Sequence, residues 1–371
     1  MMGKHVVLVG GGHAHMLTLA NLQCFTDKGH RVTVIGPSEF HYYSGMGPGL
    51  LGQIYSPETV RFQTRRLVEA KGGSFVLGRV VGIDPINKAL TLESGEQWPY
   101  DIVSLNVGST IPSPPIEGGS GDIFTVKPIE RLLIAQRRLL AFSSDRPLRV
   151  GIVGGGPSSA EIAGNVQRLL HDHGQHPARI TIFAGKKFMG RFSNSVRSKV
   201  ANSLQKRSVQ ILDDAYVTAV KDKRLMLSSG DTYEADFLFL AGGVNPSPVF
   251  RASGLSTGPE GGLAVNEYLQ ATDHPDVFGG GDCVYFQKSP LNKVGVHAVR
   301  QNPVLLRNLQ ARLDGQALRP FKPGGDYLLV FNLGDGTGVL KKGSLVFNGQ
   351  LAFRIKDWID RRFMKTFQNL E

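Results

Sequence analysis

One unit occurs twice in this chain, and that repetition limits its fold more than any other feature. His5 to Val9 (HVVLV) runs into Gly10-Gly11-Gly12 and then a helical stretch from Ala14 to Phe25. Leu148 to Val153 runs into Gly154-Gly155-Gly156 and a helical stretch from Ser159 to Leu170. A second apolar run follows each, Arg31 to Ile35 and Arg179 to Phe183. Short, continuously apolar runs suit strands covered on both faces, as in a parallel sheet. A Gly turn between such a strand and a helix is the context of a dinucleotide cradle. The first Gly permits the tight turn, the second lets backbone approach a pyrophosphate, and the helix N-terminus offers free N–H groups. A single copy is weak evidence. Two copies, separated by the Pro-, Ser- and Gly-rich crossing Ile111 to Gly121, imply two dinucleotides.

A third Gly turn carries a different chemistry. Val277-Phe278-Gly279-Gly280-Gly281-Asp282 ends in a carboxylate, an acceptor suited to the sugar-alcohol chain of FAD, which NAD lacks. The predicted cofactors are therefore FAD and NADH or NADPH. The predicted fold class is α/β, with two Rossmann-like dinucleotide-binding domains and a small C-terminal region ending in an amphipathic helix. Residues 1–112 and 244–318 are assigned to a discontinuous FAD domain, 113–243 to the NAD(P)H domain and 319–371 to the C-terminal region. Asp101 to Gly108 and Asp236 to Gly243 end the two units alike. Helices are expected over 129–142 and 296–313, and an antiparallel piece over 326–355.

Both fingerprints depart from the usual pattern. His15 takes the third Gly position of the first, which predicts looser helix–strand packing there. No acidic residue ends the second strand; Gly36 stands there, with Ser38 and Glu39 nearby. In the second unit Ser159 takes the third Gly position. The next strand ends in Ala184-Gly185-Lys186-Lys187. A carboxylate there would bond a ribose 2′-OH and repel a 2′-phosphate, so its absence favours NADPH; the Lys pair also reads as a solvated turn.

The remaining composition narrows the function classes. Hydrophobic residues make up 41% and charged residues 20%, values of a folded protein. The net charge of +11 comes with no nucleic-acid motif, so no nucleic-acid partner is expected. Only Cys24 and Cys283 occur, without CxxC, which argues against a disulfide framework or zinc site and fits a reducing compartment. No signal peptide and no membrane span is read, so the expected location is cytoplasmic, or peripheral on the inner face of a membrane. His171, Asp172, His173 and His176, beside Gly174 and Pro177, read as a solvated loop, and no metal site is expected. No nucleophile elbow appears.

The order of these motifs resembles the two-dinucleotide flavoproteins of the pyridine nucleotide–disulfide oxidoreductase superfamily. Within it the chain looks like the type II NADH dehydrogenase-like branch, which includes flavoproteins sometimes fused to selenide,water dikinase. The residues that carry this are Gly10 to His15, Tyr43-Ser44-Gly45-Met46-Gly47-Pro48-Gly49, Gly295 to Gln301 and Lys356 to Met364. The resemblance implies FAD on Gly10, Gly12, His13, Ala14, Ser38, Gly108 and Gly281, with Asp282 at its ribityl chain. Lys293 and the helix start at Val296 would lie by the flavin's pyrimidine edge. NAD(P)H would lie on Gly154, Gly156, Pro157, Ser159, Lys186 and Gly243, with Glu161 near the nicotinamide. The lack of a Cys pair excludes glutathione-reductase-type chemistry and argues against sulfide:quinone chemistry. Cys283 is expected to be a buried structural thiol.

What remains is hydride relay from NAD(P)H through flavin to a second acceptor, a quinone in the first instance. Glu161, His297 and Lys293 are the candidate catalytic residues; for Glu161 and His297 the alternative is a plain structural role. The other readings are a reductase for a protein, sulfur or selenium acceptor, or a non-catalytic flavin redox sensor. In the C-terminal helix, Ile355, Trp358, Ile359, Phe363, Phe367 and Leu370 form an apolar stripe, with Lys356, Arg361, Arg362 and Lys365 off it or at its edge. Such a helix suits an anionic bilayer, the body of the protein or a second subunit in a homodimer.

Overall fold

The computed structural model describes residues 3–118, 122–143, 146–174 and 178–371. His176, Pro177 and Gly121, named above, lie outside the described residues. Two five-stranded parallel sheets dominate. The first runs in the order Val277–Gly279, Ile102–Leu105, His5–Val9, Arg31–Gly36, Ser74–Leu77. The second runs Asp122–Thr125, Phe237–Leu240, Arg149–Val153, Arg179–Phe183, Gln210–Leu212. In each, the strand that feeds the Gly turn is central, and its apolar run is buried because helices cover both faces. Val6, Val7 and Leu8 are wholly buried, as is Ile152 in the second sheet.

The outer strand of each sheet comes from beyond the other unit. Asp122–Thr125 precedes the second Gly turn, whereas Val277–Gly279 follows the whole second unit. The chain therefore crosses twice, and the crossings pair: Ser109–Thr110 is antiparallel to Asn245–Pro246. Beyond the helix Gly295–Asp314, which ends on left-handed Gly315 (φ 68°) as a C-terminal Gly does, lies a three-stranded antiparallel sheet. Its strands are Leu329–Asn332, Gly338–Lys342 and Leu345–Gly349. The helix Gln350–Gln368 closes the chain.

Two sequence expectations fail here. The helix expected from Ala14 to Phe25 is broken into Met16–Ala20 and Gln23–Thr26. At the break the Asn21 amide donates to the Leu17 carbonyl at 2.8 Å, a local bond that competes with helix continuation. Nor is the packing at His15 loose. Its ring is fully buried, with Nδ1 2.7 Å from the Gly10 carbonyl and Nε2 2.8 Å from Ser104 Oγ. The imidazole fills the space a Gly would leave and ties turn to sheet. Burial, partly offset by the Gly10 contact, lowers its pKa to about 4, so it is neutral there.

Candidate active site

The first turn is shaped by backbone that has no room for side chains. Gly10 sits at φ +89°, and a Cβ there would lie 2.3 Å from the Asn106 carbonyl. A Cβ at Gly12 would lie 2.9 Å from Asn106 Nδ2, a buried amide nitrogen without a hydrogen-bond partner. Asn106 follows the Ile102–Leu105 strand, and Gly108 beyond it faces open space. Ala14 is fully buried, a Cβ at Gly280 coming within 2.9 Å of its own, so its methyl packs the turn against the third Gly turn. Ser38 Oγ accepts from the Phe40 N–H at 3.1 Å. Glu39, close after that strand, is paired with Arg65.

Asp282 lies close by. Its Oδ2 accepts from Lys127 Nζ at 2.8 Å and Ser109 Oγ at 3.1 Å. Burial pushes its carboxyl up, but the Lys127 charge and these bonds outweigh it and hold it below the usual carboxylate range. Gly281, at φ +80°, donates its N–H to Gln301 Oε1 at 2.7 Å. A small cleft lined by Gly281, Asp282, Lys293, Val294, His297 and Gln301 opens at the start of the Gly295–Asp314 helix, whose N-terminus no side chain caps. His297 is buried with Nδ1 unpartnered, and burial lowers its pKa; Val296 is half-buried beside it. Lys293 is committed elsewhere, paired with Glu260 at 2.9 Å and donating to the Val284 carbonyl.

The second turn repeats the logic. Gly154, at φ +136°, would place a Cβ 2.4 Å from the Ala241 carbonyl. Gly156 caps the Pro157–Asp172 helix in extended conformation, with Pro157 at its start, and faces open space, as do Gly242 and Gly243. Ser159 is fully buried, its hydroxyl donating to the Ala241 carbonyl at 3.4 Å, so its side chain is committed to the fold. Lys186 and Lys187 are exposed.

Between the two turns lies a buried charged group that the sequence concealed. Lys356, expected on the polar face of the C-terminal helix, points inward. Its ammonium donates to Asp360 at 2.6 Å and to the Gly45 carbonyl at 2.7 Å. Tyr43 donates its hydroxyl to Asp360 at 3.1 Å. Glu161 accepts the Asn332 N–H at 2.8 Å, and burial, opposed by Lys356, pushes its carboxyl up to about 7. The apolar stripe divides: Phe363 and Phe367 pack inward with Tyr43, Phe62 and each other, while Trp358 and Ile359 stay exposed. A helix ties its register to whichever residues find partners, and here an i,i+4 ion pair with buried partners overrides the hydrophobic stripe.

Asn106, Lys127, Tyr43, Lys356 and Asp360 were thus missed as site residues. Tyr43, Lys356 and Asp360 stand in segments that carried the family resemblance. Lys127 and Asn106 had no sequence signal, since only the fold brings them to Asp282 and Gly12. Cys283 is buried, its thiol 3.2 Å from the Gly280 carbonyl and its pKa pushed up to about 11 by burial. Of the histidine loop, His171 lies 3.3 Å from Asp172 and His173 bonds Gln53 at 2.7 Å.

Residues 4–302 match the family described as pyridine nucleotide-disulphide oxidoreductase. The chain belongs to that family. As a pyridine nucleotide-disulphide oxidoreductase it works with FAD and NAD(P)H, and the residues fit both: two open Gly turns, an anchored carboxylate at Asp282, and an orphaned polar atom on Asn106. It is 24% identical over 372 residues to the ferroptosis suppressor protein 1 of Homo sapiens, covering 95% of this chain and 91% of that protein. It is 26% identical over 151 residues to the mitochondrial internal alternative NAD(P)H-ubiquinone oxidoreductase A1 of Arabidopsis thaliana, covering 39% of this chain and 29% of that one. Among solved structures, NDH2 from Plasmodium falciparum in complex with NADH superposes with a TM-score of 0.78 at 14% identity, over 98% of this chain and 99% of that one. The sulfide:quinone oxidoreductase of Aquifex aeolicus gives 0.77 at 17%, over 100% and 92%. These two show the shared fold. No helix among the described residues is long and apolar enough to cross a membrane.

Proposed function

We propose that this chain is an FAD-dependent NAD(P)H:quinone oxidoreductase. The observation that carries it is the buried group of Glu161, Lys356, Asp360 and Tyr43 between the two Gly turns, roofed by Phe363 and Phe367. Gly10, Gly12, Gly108, Gly281 and Asp282 would hold FAD; Gly154, Gly156, Pro157 and Gly243 would hold the nucleotide. FAD, when bound, takes a hydride from the nicotinamide and passes two electrons on. The chain's own residues do the rest. Reducing a quinone to a quinol consumes two protons, and Glu161, with its affinity pushed up to about 7, holds and releases one at its carboxyl near neutral pH. Lys356, kept charged by Asp360 and Glu161 against the cost of burial, favours negative charge developing on an acceptor oxygen. The inward aromatic rings exclude water. The relatives named for ubiquinone reduction support this acceptor. With Cys283 buried and Cys24 on a separate helix, no thiol pair supports disulfide or sulfide chemistry.

The outward face of the C-terminal helix supports a peripheral membrane contact, with the second copy of a homodimer as the competing occupant. Leu351, Trp358, Ile359 and Leu370 are exposed, and Arg354, Arg361, Arg362 and Lys365 are exposed around them, the pattern of a helix lying on an anionic bilayer.

The test is anaerobic stopped-flow reduction of the flavin by NADH and by NADPH, followed by mixing with a short-chain ubiquinone. Rapid bleaching and rapid recovery are expected. Reoxidation by quinone no faster than by oxygen would favour a protein, sulfur or selenium acceptor, and reduction many orders slower than about 1–1000 s⁻¹ would favour a redox sensor.

A further inference from the structure

Two imidazoles lie at the edge of this site with ring nitrogens that nothing on the chain satisfies. His13 Nε2 and His41 Nε2 are both shut off from solvent without a hydrogen-bond partner. The rings meet edge-on at 5.1 Å. Around them stand Tyr43 (5.2 Å from His13), Phe363 (6.0 Å, stacked on His13) and Phe62 (6.1 Å, stacked on His41). A buried polar atom without a partner costs free energy and is rare in folded proteins, so two in contact call for a ligand. His13 feels the charges of Asp282 and Lys127, and His41, edge-on to it, stacks on Phe62. Burial keeps both rings neutral, lowering His13 to about 4 and His41 to about 3, so each can offer one N–H and one lone pair.

We infer that His13 and His41 are the headgroup-binding residues of the acceptor site, donating N–H bonds to the carbonyl oxygens of a quinone whose ring lies among Tyr43, Phe62 and Phe363. The inference rests on the quinone reading above and deepens it. A planar apolar ring with polar oxygens matches an aromatic surround that carries two unsatisfied ring nitrogens. A neutral imidazole also suits both redox forms: it donates to a quinone carbonyl and, in the other tautomer, accepts from a quinol hydroxyl. A sulfur or selenium acceptor has no such paired carbonyls.

The experiment titrates the oxidised, FAD-loaded protein with a short-chain ubiquinone and follows the flavin difference spectrum. His13→Phe and His41→Phe should each raise the quinone Kd about tenfold, the loss of one hydrogen bond. In His41→Phe, FAD content and the rate of flavin reduction by NAD(P)H should be unchanged. His13→Gln and His41→Gln keep an N–H donor and should stay within about threefold of wild type. Unchanged Kd in both Phe variants, with wild-type quinone turnover intact, overturns the assignment and leaves the quinone reductase standing. Loss of FAD from the Phe variants overturns it in favour of a cofactor role. A wild-type protein that neither binds quinone nor turns it over overturns both.

Discussion

Glu161 takes up protons more tightly when folded than a free carboxyl does, and that asymmetry has a sign. Below about 4.5 both the folded and the unfolded chain keep it protonated; between there and about 7 the unfolded chain has released the proton and the folded one has not. Stability should therefore fall as pH rises through that window, then level off. Glu161→Gln should not show this fall, so its stability relative to wild type should rise by on the order of 2 kcal/mol from pH 4.5 to 7 in urea titrations. Parallel curves would remove the carboxyl from the proton-holding role. Gly156 supports a sharper test. A Cβ there meets nothing within 4 Å, so Gly156→Val should leave fold and FAD content intact. The added side chain would obstruct a pyrophosphate, and flavin reduction by NAD(P)H should slow on the order of a hundredfold; stopped-flow absorbance reads it directly. At this scale the sequence announced the Gly positions and Asp282, because backbone freedom and a lone carboxylate leave a local signature. It hid Asn106 and Lys127, whose importance comes only from what folding sets beside them. It also misled at His15, where the missing Gly is replaced by a ring that bonds its surroundings.

Among elements, one tight junction is between the Pro157–Asp172 helix and the loop after the Leu329–Asn332 strand. A Cβ at Gly164 would lie 2.1 Å from the Leu333 carbonyl oxygen. Both sides are backbone, so neither can swing away. Gly164→Ala should cost about 3 kcal/mol, at the upper end of ordinary overpacking, despite the better helix propensity of Ala. An unchanged denaturation midpoint would show that the junction is looser than described. This junction also presents Asn332 to Glu161, so the same variant should disturb the acceptor side more than FAD retention. The Gly295–Asp314 helix was legible to within a residue at each end, and the antiparallel piece was legible except for residues 350–355, which begin the C-terminal helix. The inner face of the C-terminal helix was not. Its pattern of apolar residues pointed one way, and a buried Lys356–Asp360 pair, visible only with Tyr43 and Gly45 in place, set it another.

For the whole molecule, the double strand–Gly turn–helix unit made both sheets legible, since a parallel sheet needs such crossovers. The burial of Met364, with Phe363 and Phe367 half-buried against the same core, changes how membrane contact is tested: deleting the helix would strip the core. Changing the outward residues alone is cleaner. Trp358→Ala with Ile359→Ala should lower recovery on anionic vesicles several-fold, with high salt releasing the wild type as well, while reduction by NAD(P)H stays normal. Full recovery of the double variant, together with a monomer where the wild type is a dimer, would assign that face to a second copy. The strand order carries a last consequence. A ribosome that has released residues 1–112 has made four strands of the first sheet, but Val277–Gly279 and the carboxylate of Asp282 are still untranslated. On the proposed FAD site, the cradle would be completed only after the second Gly-turn unit has emerged, so a chain cut before Val277 should fail to capture FAD.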